Sequence, residues 1–102
     1  MALRLKWSPA AAEDLESIAE YIAKDSPSYA ASVVSRFLAM AKNIPLFPES
    51  GRVVPEIGDS SIREHIVFSY RLIYRIEPSQ ITLLTVIHGR RLLTYSLIKT
   101  EE

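Results

Sequence analysis

The feature that most constrains the fold is a pair of β-forming runs near the C-terminal end, Tyr70 to Ile76 and Ile81 to His88. They are rich in Ile, Leu, Val, Thr and Tyr, and Glu77-Pro78-Ser79-Gln80 lies between them. Proline presets φ for a turn, so the pattern predicts a hairpin. A symmetric closure pairs Ile76 with Ile81, Tyr74 with Leu83 and Leu72 with Thr85. Side chains alternate along a strand, which places Tyr70, Leu72, Tyr74, Ile76, Ile81, Leu83 and Ile87 on one face. That face is expected to be core. The other face carries Arg71, Ile73, Arg75, Thr82, Leu84, Val86 and His88, and it is expected to stand open with its charge exposed.

Upstream, Leu3, Leu5 and Trp7 alternate with Arg4 and Lys6, as in a half-buried strand. Ser8-Pro9 then opens a helix: serine caps, and proline fits the first helical position, where its missing N–H would have no partner. Glu13 and Asp14 lie toward the positive end of its dipole. Ala11, Leu15, Ile18 and Ile22 recur at helical spacing, and the helix is expected to end near Lys24. Ser26-Pro27 repeats the start signal. Ala30, Val33, Val34, Phe37, Ala41 and Ile44 form the second stripe, and Pro45 and Pro48 end it. The short connection makes the helices antiparallel neighbours.

Residues 48–60 read as a loop punctuated by Gly51 and Gly58, with a short strand segment at Val53-Val54. Ile62 to Phe68 is the next strand. A turn at Ser69-Tyr70 sets Phe68 against Arg71 and Glu64 against Arg75, and a one-residue shift reverses the faces of this strand. The predicted order is β-α-α-β-β-β. This is one α+β domain over residues 1–102, a helical hairpin on one face of a mostly antiparallel sheet.

The chain has 102 residues, 48% of them hydrophobic, enough for a core that needs neither metal nor disulfide. It has no cysteine, which excludes thiolate catalysis and cysteine zinc sites. Its two histidines, His65 and His88, have no ligand-spaced partner, so no metal or cofactor is expected. No signal-peptide core or membrane-length apolar run is present, which points to the cytoplasm. The formal net charge is zero, yet the six charged donors between Arg52 and Arg91 are all arginine. Arginine's rigid fork matches phosphate or carboxylate. One constellation suits RNA cleavage: Glu56 as base, His88 as acid, and Arg63, Arg71 or Arg90 as cations for developing charge.

The segments WSPAAAEDLESIAEYIAKDSP, FPESGR, Arg63-Glu64, YRLIYRI and VIHGRR, in this order, resemble the RelE/ParE superfamily of bacterial toxins, and the ParE-like branch most closely. The resemblance implies the toxin of a type II toxin–antitoxin, or plasmid stabilisation, system. Such a toxin is neutralised by a small cognate antitoxin whose disordered tail folds over it, often as a heterotetramer. ParE-like members poison DNA gyrase without catalysis; RelE-like members cut mRNA in the ribosome. On the first reading Arg52, Arg71, Arg75, Arg90 and Arg91 engage the target. On the second, His88, Arg63, Arg71 and Glu56 carry the chemistry, although no lysine lies between Lys42 and Lys99 and Gly89 follows His88 where an aromatic is common. The antitoxin is expected to anchor on Leu92, Leu93 and Leu97 and in the groove beside the helical hairpin.

Overall fold

A computed structural model describes residues 3–91 and 93, and it starts both helices at the Ser-Pro pairs. Helix α1 is Pro9–Ala23 and α2 is Pro27–Asn43. Ser8 Oγ accepts the Ala11 N–H at 2.9 Å and donates to the Leu84 carbonyl at 3.0 Å. The cap therefore also fastens α1 to the centre of the sheet, and the serine is fully buried. Ser26 caps α2 through the Tyr29 N–H at 3.1 Å.

Five strands follow the order β1-β5-β4-β3-β2 across one sheet. They are β1 Arg4–Trp7, β2 Arg52–Val53, β3 Ile62–Val67, β4 Tyr70–Ile76 and β5 Gln80–His88. β1 lies parallel to β5, and the other pairs are antiparallel. The closing hairpin pairs Ile76 with Ile81 and Tyr74 with Leu83, as the turn predicts. Beyond that point the register slips, and Leu72 faces Val86 rather than Thr85. A β-bulge at Leu84 inserts one residue and reverses the facing of the rest of β5. Val86 thus joins the helix-facing core, and Ile87 turns to the opposite side. Asp14 of α1 fills the gap in the ladder: its Oδ2 accepts the Thr85 hydroxyl at 2.6 Å and the Val86 N–H at 3.0 Å.

The β3–β4 turn differs from expectation. Val67 pairs with Tyr70, so the turn residues are Phe68 and Ser69. Phe68 adopts φ 56°, a region costly for a bulky side chain and usually given to glycine in such turns. Glu64 consequently faces Ile73, and Arg75 faces Ile62, so the expected Glu64–Arg75 pair does not form.

Both faces of the sheet are covered. On one, Leu72, Tyr74, Ile81, Leu83 and Val86 pack on Leu15, Val33 and Phe37 of the helices. On the other, Ile62, Ile73, Leu84 and Ile87 meet Val54 and Leu93, with Ile57 at the margin. The expectation of an open second face is therefore overturned. The loop after β2 folds back as a roof, held by the Val54 N–H to the Ile62 carbonyl at 3.1 Å and by the Gly58 N–H to the Val54 carbonyl at 2.9 Å. Each aliphatic side chain so buried contributes roughly 1.5–3 kcal/mol, enough to hold a loop with little regular structure.

Candidate functional site

The arginines divide into those the sheet consumes and those it leaves free. Arg71 belongs to the first group, contrary to its expected exposure. Its side chain is 6% exposed. Its Nε donates to Glu64 at 2.6 Å, and its Nη1 and Nη2 grip both oxygens of Glu56 at 2.7 and 2.8 Å. Nη1 also donates to the Arg91 carbonyl at 3.0 Å. Glu64, with a fully buried side chain, accepts Arg52 Nε at 2.5 Å on its other oxygen. The chain Glu56–Arg71–Glu64–Arg52 thus alternates in sign. Burial of such charges is tolerated only when each is paired.

Glu56 and Arg71 are expected to share a site, and the fold brings them together, but as a clamp. The Arg71 fork holds the Glu56 carboxyl at a pKa of about 2, against burial acting in the opposite direction. A carboxylate so tied is a weak base. Its Oε2 also accepts the Leu93 N–H at 3.1 Å, which places the Leu93 side chain in the second core at 4% exposure. Leu93 is therefore not a free antitoxin anchor: the domain already covers it. Leu92 and Leu97 lie outside the described residues.

Of the remaining expected site residues, Arg63 is half-buried and binds the carbonyls of Ser60, Glu49 and Gly51. Arg75 is half-buried, 3.7 Å from Glu77. Arg52 keeps 65% of its side chain exposed while paired with Glu64. His88, Arg90 and Arg91 are all exposed, at the end of the last strand and just past it. Among the described residues neither Arg90 nor Arg91 forms an ion pair. His88 Nδ1 accepts the Arg90 N–H at 3.2 Å, and its ring meets Tyr70 edge-on at 5.7 Å. The bulge carries His88 to the helix side of the sheet, away from Glu56.

Two apolar surfaces complete the geometry. Between the helices, Trp7, Leu15, Ala19, Val34 and Leu38 line a shallow groove of about 480 Å3. It continues over Ala23, Ala30 and Ala31 for a further 520 Å3. The small alanine side chains of both helices keep this groove open. The second surface is an aromatic corner. Phe68 carries the Arg36 guanidinium 5.7 Å above its ring and meets Tyr29 edge-on at 6.1 Å. Periodicity gives no warning of this corner, because Phe68 reads as the end of a strand.

Comparison with known proteins decides the family. The profile described as ParE toxin of type II toxin–antitoxin system, parDE, matches residues 5–93. The chain belongs to this family. A relative in Sinorhizobium fredii (strain NBRC 101917 / NGR234), named "Putative toxin Y4kP", is 33% identical over 90 residues, covering 86% of this chain and 90% of that one. Among solved structures, this ParE-family chain is similar to one of the chromosomal ParDE toxin–antitoxin system of P. aeruginosa, with TM-score 0.71 and 21% identity. That match covers 85% of this chain and 96% of the other. It is also similar in fold to the YoeB dimer of Staphylococcus aureus, with TM-score 0.60, 15% identity and coverage of 86% and 98%. The toxin–antitoxin complex RelBE2 of Mycobacterium tuberculosis gives TM-score 0.52, 21% identity and coverage of 86% and 99%. The ParE-family toxin thus shares the α+β fold of the wider superfamily: two helices on a mixed five-stranded sheet. Among its described residues no helix is long and apolar enough to cross a membrane.

Proposed function

We propose that this toxin acts in the cytoplasm as a non-enzymatic poison of DNA gyrase, and that a cognate antitoxin silences it by laying an amphipathic segment into the groove between α1 and α2. The observation that carries the reading is the Glu56–Arg71 clamp. The carboxylate that would serve as base in RNA cleavage is spent on holding the chain at Leu93. Of the arginines expected to engage the target, those left exposed are Arg90, Arg91 and the free side of Arg52, which suit docking on an acidic protein surface. A groove floored by alanine and walled by Leu15, Val34 and Leu38 accepts the apolar face of a helix. Assembly of toxin and antitoxin as a heterotetramer, and a role in plasmid stabilisation, extend the same reading.

A supercoiling assay with purified gyrase tests it. Excess toxin should inhibit, pre-mixed antitoxin should restore activity, and the double substitution of Arg90 and Arg91 by Ala should weaken inhibition at least tenfold. Undiminished supercoiling at excess toxin sinks the reading. A second reading, ribosome-dependent mRNA cleavage, draws support from His88, exposed beside Arg90 with Nδ1 engaged and Nε2 left for proton transfer. Codon-linked transcript ends after induction, lost in His88→Ala, would favour it instead.

A further inference from the structure

Ser50 ends a short 3-10 turn, Pro48–Ser50, on the helix side of the sheet and across it from the Glu56–Arg71 clamp. Its Oγ lies 2.9 Å from Nε2 of His65 on β3. We propose that Ser50 is a nucleophile activated by His65, and that it takes apolar acyl groups from carboxylic esters. The inference does not rest on the toxin reading.

Three observations converge here. The first is the orientation of the base. The His65 ring stacks on Tyr74 with 6.0 Å between centroids and 13° between planes. Tyr74 is itself fully buried, its hydroxyl donating to the Pro48 carbonyl at 2.6 Å and accepting the Gly51 N–H at 3.0 Å. A fixed ring thus sets the plane of the imidazole, the role a third member plays in nucleophile–base pairs. The second is charge. Arg63 Nη1 donates to the carbonyls of Glu49 and Gly51, the residues on either side of Ser50. It thereby brings positive charge to the turn that carries Ser50, the sign that would offset an oxyanion. The third is a cleft of about 660 Å3, lined by Leu46, Phe47, Pro48, Ile76 and Ser50. Leu46 and Phe47 are 59% and 65% exposed, so they wall the nucleophile with apolar surface rather than fill a core.

The chemistry balances without any further group. With His65 protonated at Nδ1, Nε2 accepts the Ser50 proton as Oγ attacks the ester carbonyl. The tetrahedral oxyanion collapses, the carbon–oxygen bond to the alcohol breaks, and His65 returns the proton to the departing alcohol. Water then hydrolyses the acyl-serine to the acid. Partial burial lowers the His65 pKa below that of ordinary imidazole, so the ring is neutral near pH 7. The charged and titratable groups around it are Arg63 on its own strand, Tyr74 on β4 and Glu49 on the turn.

The test uses the full chain with p-nitrophenyl butyrate, following p-nitrophenolate release and locating the adduct by peptide mass. One equivalent should be released in a burst, with the butyryl group on Ser50. Ser50→Ala should abolish the burst, and this exposed change leaves the fold intact. His65→Asn should slow acylation by roughly 100-fold or more, with the wild-type rate rising through a pH below the ordinary imidazole value. The acetate ester should react more slowly than the butyrate. An adduct on a lysine or tyrosine, an equal rate in His65→Asn, no adduct, or indifference to chain length would each overturn the proposal.

Discussion

Replacing Arg71 by Met isolates what the buried ion-pair chain contributes. Glu64 has no exposed side-chain surface, and Arg71 supplies one of its two cationic partners. The other, Arg52, is mostly in solvent and cannot neutralise the site alone. Glu56 loses both contacts from the guanidinium at the same time. Removing one partner of a buried pair costs about 3–5 kcal/mol, and here the buried Glu64 carboxylate keeps only the Arg52 contact while Glu56 loses its guanidinium altogether. A domain of this size has roughly 5–15 kcal/mol to lose. At about 4–8 °C per kcal/mol, the melting temperature should fall by roughly 12–40 °C. Circular dichroism melts and urea titrations measure both quantities. The double variant R71M/E64L removes the stranded charge and should recover at least about 1 kcal/mol over R71M alone. If R71M stays within about 0.5 kcal/mol of wild type, as a surface substitution would, or if the double variant loses the sum of the singles, the clamp is not what holds this face.

Three other substitutions probe the carboxylate, the bulge and the close-packed turn. Glu56→Gln should flatten the acid limb of stability. The folded-state pKa of Glu56 is depressed from 4.5 to about 2, so its contribution is complete above the higher value and is lost as pH falls between the two; urea midpoints across that window would show no difference between the proteins if the ion pair were idle. Asp14→Ala strips the bulge of its acceptor for Thr85 and Val86 and should cost about 1.5–3 kcal/mol by urea denaturation, whereas a loss below about 0.5 kcal/mol would mean water serves equally well. Gly51→Ala should prevent stable folding, because a Cβ there would lie 2.6 Å from the Glu64 carbonyl oxygen and 2.7 Å from the Tyr74 hydroxyl; soluble protein with an unchanged melting point would refute that packing.

What the sequence discloses depends on how far each determinant lies from the residue it governs. Helix starts are legible because the cap, the proline and the first apolar residue are neighbours. The closing hairpin is legible as far as Tyr74 and Leu83, because the turn sets the nearest pairs. It fails one step later: Leu84 is an ordinary strand residue, and what makes it a bulge is the carboxylate of Asp14, 71 positions from Thr85. The second core fails for a related reason. Its roof is a loop that reads as punctuation, and Arg71 reads as solvated because its partners Glu64 and Glu56 stand seven and fifteen residues away. One local signal points the other way. Ile73, Leu84 and Val86 fall by alternation on the face expected to be open, and a solvated face seldom carries that many aliphatic side chains between its charges. Given that signal, an arginine among them needs a buried acid, and the docking surface follows by elimination. Among the six arginines from Arg52 to Arg91, a sheet covered on both sides leaves exposed those where its strands stop, Arg90 and Arg91, and the one at its short β2 edge, Arg52. Docking should therefore track those three residues and ignore Arg71 except through the stability it provides.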